Sequence, residues 1–116
     1  MAITFTPTPQ TPEGAKQVSS NLESQYQAEL IKKLKKSFPG CIVLKNDPNY
    51  IQGFPDLTVM YGKHWALLEV KRRYNAQVRP NQKHYIDLAK KMSYASFIFP
   101  ENEGNVFSDL SRLFFS

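Results

Sequence analysis

Gly53-Phe54-Pro55-Asp56-Leu57-Thr58-Val59-Met60-Tyr61, followed by Gly62-Lys63 and then His64-Trp65-Ala66-Leu67-Leu68-Glu69-Val70-Lys71, is the stretch that decides the fold. Two runs rich in aliphatic, aromatic and β-branched residues flank a two-residue turn. That pattern reads as a β-hairpin with strands over Asp56–Tyr61 and His64–Arg72. Side chains alternate across a strand, so Glu69 and Lys71 share one face while Ala66, Leu68 and Val70 share the other. The first strand opens on an acid, Asp56. A glutamate and a lysine set among Trp65, Ala66, Leu67, Leu68 and Val70 are costly to bury unpaired. A metal-assisted reaction is the simplest use for such a set. The plainer reading is an acid at a strand start and a Glu/Lys pair on a solvated sheet.

Outward from the hairpin, the N-terminal stretch is rich in Thr and Pro without periodicity, and reads as an extended arm over residues 1–16 ahead of a single domain, 17–116. A helix is expected from about Ser20, or earlier, to Ser37, stopped by Pro39-Gly40. A short strand over Cys41–Lys45 follows, then a loop through Asn46–Gly53. Beyond the hairpin and a loop over Tyr74–Arg79, Pro80 suits the first turn of a helix running to about Met92. Ala95–Phe99 reads as a strand, and Val106, Phe107, Leu110, Leu113 and Phe114 have helical spacing. The order is helix, three strands, helix, strand, helix. A helix joining two strands implies a crossover and a parallel neighbour. The expected fold class is therefore α/β, with a small mixed sheet flanked by helices.

At 116 residues the chain is long enough for one modest core. Its net charge is +5, and the basic residues cluster. Lys32, Lys33, Lys35 and Lys36 lie on the first helix; Lys71, Arg72, Arg73, Arg79 and Lys83 surround the acidic pair. Basic charge around two acids suggests a phosphate-bearing polymer held over a metal site. Cys41 is the single cysteine, so there is no disulfide framework, and it reads as a small buried hydrophobe. No apolar run is long enough to span a membrane and no signal pattern opens the chain, so a soluble, cytoplasmic protein is expected. Two histidines, His64 and His84, are too few for a zinc site. There is no glycine-rich phosphate loop, which argues against NTP hydrolysis.

The motif Pro55-Asp56 followed by Glu69-Val70-Lys71, on adjacent strands in this element order, resembles the PD-(D/E)xK nuclease superfamily. Within it the chain is most similar to VRR-NUC domains and phage-type Holliday-junction resolvases. The echoes are Gly53-Phe54-Pro55-Asp56-Leu57, Leu68-Glu69-Val70-Lys71 and Arg79-Pro80-Asn81-Gln82, within residues 20–100. The resemblance implies an αβββαβ(α) restriction-endonuclease-like core. It implies Mg²⁺, with Mn²⁺ as a substitute, held by Asp56, Glu69 and the backbone carbonyl of Val70. Lys71 would orient the attacking water and lower the pKa of the nearby acids. Hard Mg²⁺ takes only one or two protein carboxylates in such sites, which suits this donor set.

The family also places an acid or glutamine on the first helix. Leu22, Tyr26, Leu30 and Leu34 mark the apolar stripe; Glu23 and Gln27 fall within or beside it, whereas Glu29 falls among lysines and pairs with Lys33 four residues on. Glu23 is thus a site residue or, in Ser20-Asn21-Leu22-Glu23, part of a capping box. Gln82 is a site residue by resemblance or an ordinary helix-surface glutamine. Arg72, Arg73, Arg79 and Lys83 are DNA-phosphate contacts or solvated charges. Tyr85 and Ile86 belong to the core. Asp47 is a second-metal ligand or, in Asp47-Pro48-Asn49, turn chemistry.

The leading expectation is a Mg²⁺-dependent DNA endonuclease selective for branched DNA, acting as a homodimer in a bacterial or phage-infected cell. The alternatives are a non-catalytic DNA-binding module that keeps the nuclease fold, and a restriction-type endonuclease.

Overall fold

The computed structural model describes residues 14–116, with side chains from Leu22 onward. Helix α1 spans Gly14–Ser37, β1 Ile42–Lys45, β2 Leu57–Tyr61, β3 His64–Val70, α2 Pro80–Lys90, β4 Tyr94–Ile98 and α3 Glu103–Phe114, the last entered through a 3₁₀ turn at Pro100–Asn102. The last residues of the expected arm, Gly14–Lys16, belong to α1; after Pro12 the next proline is Pro39, beyond the end of the helix. The rest of that arm lies outside the described residues. Starting α1 at Gly14 puts Ser20 inside the helix, so Glu23 is not part of an N-terminal capping box.

The sheet order is β1-β2-β3-β4. β1–β2 and β2–β3 are antiparallel, and β3–β4 is parallel across the α2 crossover. This is the α/β mixed sheet that the sequence pattern implies. Gly62, at φ +61°, supplies the left-handed conformation that closes the β2–β3 turn. Register sets the two faces. Leu57 opposes Leu68 and Val59 opposes Ala66, so one face is continuous and apolar. It packs against Leu30, Leu34 and Phe38 of α1 and Val106, Leu110 and Phe114 of α3. On the other face Leu67, beside Ala95, packs under Ile86 and Ala89 of α2, with Phe54, Trp65 and Phe97 around them. β3 is therefore covered on both sides, as a strand with a parallel neighbour requires.

Several boundaries differ from the sequence reading. β3 stops at Val70, not Arg72, although the Lys71 N–H still donates to the Ile98 carbonyl at 2.8 Å. Beyond it, the charged Arg72-Arg73 leaves the sheet for the loop. Leu22, placed in the apolar stripe of α1, is 44% exposed. Lys33 pairs with Glu103 of α3 at 3.0 Å rather than with Glu29, which is exposed. Cys41 is half-buried just ahead of β1, its thiol directed to the Leu34 carbonyl. Among the described residues no helix is long and apolar enough to cross a membrane.

Candidate active site

Asp56 occupies the bend immediately before β2, and its setting is held from both sides. Its Oδ2 accepts the Val70 N–H at 2.9 Å, which ties the bend to the end of β3. Its carbonyl accepts the Asn46 N–H at 2.8 Å. The Asn46 side chain donates to the Pro55 carbonyl and bonds the Thr58 hydroxyl. Gly53 lets the preceding loop close on α2: at φ +87° it sits where an added Cβ would lie 2.4 Å from Asn81 Cβ. The glycine of Gly53-Phe54-Pro55-Asp56 is thus what brings the Asp56 loop against the first turn of α2.

Glu69, on the covered central strand β3, and Lys71, just beyond its end, are buried, at 4% and 9% exposure. Glu69 Oε2 accepts from Gln82 Nε2 at 2.9 Å and lies 3.8 Å from Lys71 Nζ. Its other oxygen, Oε1, is buried and has no partner. Lys71 Nζ donates to the Gln77 carbonyl at 2.9 Å and to Gln82 Oε1 at 2.8 Å. Gln82 Oε1 also accepts the Arg79 N–H at 3.1 Å, closing the start of α2. An ammonium and a backbone N–H can only donate, so the Gln82 oxygen must face them and its amide must face Glu69. Gln82 is a structural hinge of the site, not an ordinary surface glutamine.

The acids are harder to ionise than usual. Burial pushes Asp56 up, against the pull of the Val70 N–H. Burial, reinforced by the charge of Asp56, pushes Glu69 up to about 8. Lys71 does pull on both acids, as the sequence suggests, but desolvation outweighs it and the net shift is upward.

A cavity of about 630 Å³ opens over these groups, between α1 and the β3–α2 loop. Glu23 and Gln27 of α1 reach it, as do Arg72, Arg73 and Arg79. A second cavity of about 610 Å³, on the side of the Gly53 loop, shares Asp56, Glu69, Gln77, Arg79 and Gln82 with the first. The two form one groove with the acidic pair at its middle. Of the expected site residues, Glu23, Asp56, Glu69, Lys71 and Gln82 meet here. Lys83 lines neither cavity; it is exposed and pairs with Asp87 at 2.7 Å. Asp47 caps its own turn by accepting the Asn49 N–H at 2.8 Å. His64 opens β3 opposite Tyr61. The sequence reading missed the Gln77 carbonyl and the brace formed by Asn46. A backbone carbonyl leaves no sequence signal, but Asn46, just after a strand and ahead of Asp56, could have been weighed as a loop clamp.

The oxygens a cation would meet are those of Asp56 and Glu69; no cluster of three or more His, Cys, Asp or Glu ligands occurs among the described residues. That donor set is hard and sparse. It fits an ion that keeps much of its water shell, and the unpartnered Glu69 Oε1 is an acceptor with nothing else to satisfy it.

No protein-family model and no curated protein matches the chain. Among solved structures, it matches one described as a VRR_NUC domain protein, with a TM-score of 0.58 and 19% identity, over 79% of this chain and 87% of that one. The chain has a VRR_NUC-like fold. At that identity the likeness carries the architecture, and the chemistry rests on the residues described above.

Proposed function

We propose that the chain is a metal-dependent endodeoxyribonuclease of the PD-(D/E)xK, VRR-NUC kind, hydrolysing phosphodiester bonds in branched DNA such as Holliday junctions. The observation that carries this reading is Glu69 Oε1, buried and unpartnered beside Asp56, at the middle of a groove rimmed by Arg72, Arg73 and Arg79. A buried acid pair is costly in isolation, and a bound divalent cation offsets that cost.

Asp56 and Glu69 would hold Mg²⁺, or Mn²⁺ in its place, with the Val70 carbonyl as a further ligand by family resemblance. When bound, the ion supplies a water of lowered pKa and neutralises charge on the phosphate. Lys71, steered by Gln77 and Gln82, presents an ammonium beside Glu69 that orients the attacking water and stabilises the charge developing on phosphate oxygens. Gln82 fixes both Glu69 and Lys71 through one amide. Glu23 and Gln27 complete the wall on the α1 side. Arg72, Arg73 and Arg79 neutralise backbone phosphates, with Lys83 farther out.

Among the described residues the longest connections, residues 46–56 and 71–79, both border the groove. Reading a base sequence usually takes an element that enters a groove of the duplex, and no described helix or strand stands outside the core, which supports selection by DNA shape. A four-way junction needs two cuts, which favours a homodimer.

The test is cleavage of labelled four-way junction, flap and linear duplex DNA in Mg²⁺, Mn²⁺ or EDTA, with wild type and Glu69→Ala. Metal-dependent cutting of the branched substrates, lost in the variant, is the expected result. Equal cutting of all three removes the branch selectivity, and binding without cutting in either metal leaves a non-catalytic DNA-binding module.

A further inference from the structure

Six tyrosines occur in the sequence. Tyr26, Tyr61, Tyr85 and Tyr94 are all partly buried, and Tyr74, on the loop between β3 and α2, is 68% exposed. Tyr50 is 84% exposed, and it stands on the loop that carries Gly53 to Asp56. This loop is well tied down. The Tyr50 N–H donates to the Asp47 carbonyl and the Phe54 N–H to the Ile51 carbonyl, while Asn46 and Gly53 anchor its two ends. An exposed aromatic on a braced loop is a surface prepared for a partner, since little conformational freedom is left to lose on binding.

Tyr50, Ile51 and Phe54 line a cleft of about 350 Å³ whose polar edge is Asn46 and Asp47. Phe54 is also a wall of the groove that contains Asp56 and Glu69, so the cleft adjoins the groove at that ring. Phe54 is itself held edge-on against Tyr85, with ring centroids 5.6 Å apart. Two aromatic walls and an aliphatic one, bordered by the exposed Asp47 carboxylate while the Asn46 amide is held by Pro55 and Thr58, match a nucleobase: a flat apolar face with a polar edge. A base inside a duplex has both faces covered by its neighbours and cannot enter. A base already unpaired at a branch or flap can, without the unstacking cost.

We propose that this cleft binds an unpaired base of the strand whose phosphate lies at Asp56 and Glu69. The substrate class is then DNA with a splayed nucleotide beside the cut. This placement rests on the nuclease reading above, but the binding itself can be measured without cutting.

The experiment places 2-aminopurine either in a splayed arm next to the branch or in a fully paired duplex. Each DNA is titrated in EDTA with wild type, Tyr50→Ala and Tyr50→Phe. Tyr50 is so exposed that neither substitution disturbs packing. Wild type and Tyr50→Phe are expected to quench the splayed probe, whereas Tyr50→Ala loses the quench and binds splayed DNA roughly tenfold more weakly. Duplex binding stays level across the three proteins. Equal loss on both DNAs, or an unchanged quench in Tyr50→Ala, overturns the proposal. A Tyr50-dependent quench in a protein that cuts nothing in Mg²⁺ or Mn²⁺ sinks the nuclease and keeps the cleft. Cutting with no dependence on Tyr50 does the reverse.

Discussion

Leu67 and Glu69 lie on the same face of β3, two residues apart, and are equally shielded, at 5% and 4% exposure. Leu67 is covered by the middle of α2, through Ile86 and Ala89. Glu69 is covered by the first turn of α2, through Gln82. Burial of the leucine removes apolar surface from water and stabilises the fold. Burial of the glutamate raises its pKa and leaves one oxygen unpartnered. One helix thus builds core along its length and the candidate site at its start. The two are separated by a single turn.

The largest expected effect sharpens that contrast. Glu69→Ala should lose metal-dependent cutting to background while the protein stays folded. Leu67→Ala should cost roughly 2–5 kcal/mol of stability while folded molecules still cut. Urea melts and cleavage assays on both variants check this, and loss of folding in Glu69→Ala would break the comparison. Next, Gln82→Ala should lower activity roughly 10–100-fold, because Glu69 Oε2 loses its amide donor and Lys71 keeps only the Gln77 carbonyl and the longer ion pair with Glu69. Single-turnover cleavage in saturating Mg²⁺ reads it.

A smaller effect concerns pH in the absence of metal. Burial pushes Glu69 up to about 8 in the fold, against an ordinary value of 4.5, so between those values the folded state holds the extra proton. Its contribution is full below the unfolded pKa and is lost as pH rises through the folded one. Thermal melts in EDTA should therefore show stability falling from pH 5 to pH 8, and Glu69→Gln should flatten that slope. The smallest effect tests where the reactive end of α2 stops. Arg79→Ala should weaken binding of all DNAs alike and reduce the salt slope by about one, whereas Lys83→Ala, farther out and paired with Asp87, should reduce it by clearly less. Salt titrations by fluorescence anisotropy separate the two.

The hairpin and the helix between β3 and β4 were legible because alternation and helical spacing are local properties of the chain. Choosing Glu23 over Glu29 for the groove rested on the angle between side chains on one helix together with the family resemblance, and the structure puts Glu23 at the cavity and Glu29 in water. The capping alternative for Glu23 stayed open until the start of α1 was known, since helix ends depend on weak signals. The partner of Lys33 could not be read at all. Glu29 is one turn away in sequence, while Glu103, 70 residues on, is the one that α3 delivers.

The sequence by itself determined the element order, the mixed sheet and the acids and lysine that share the β2–β3 hairpin. It did so because backbone periodicity assigns each side chain a face. Only the tertiary structure decided that Glu69 is desolvated, that Gln82 binds both Glu69 and Lys71, and that the Gln77 carbonyl steers the ammonium. Those depend on burial and on hydrogen bonds between residues distant along the chain. No pattern along one segment encodes them, because the same glutamate is solvated or buried according to which helix lies over it.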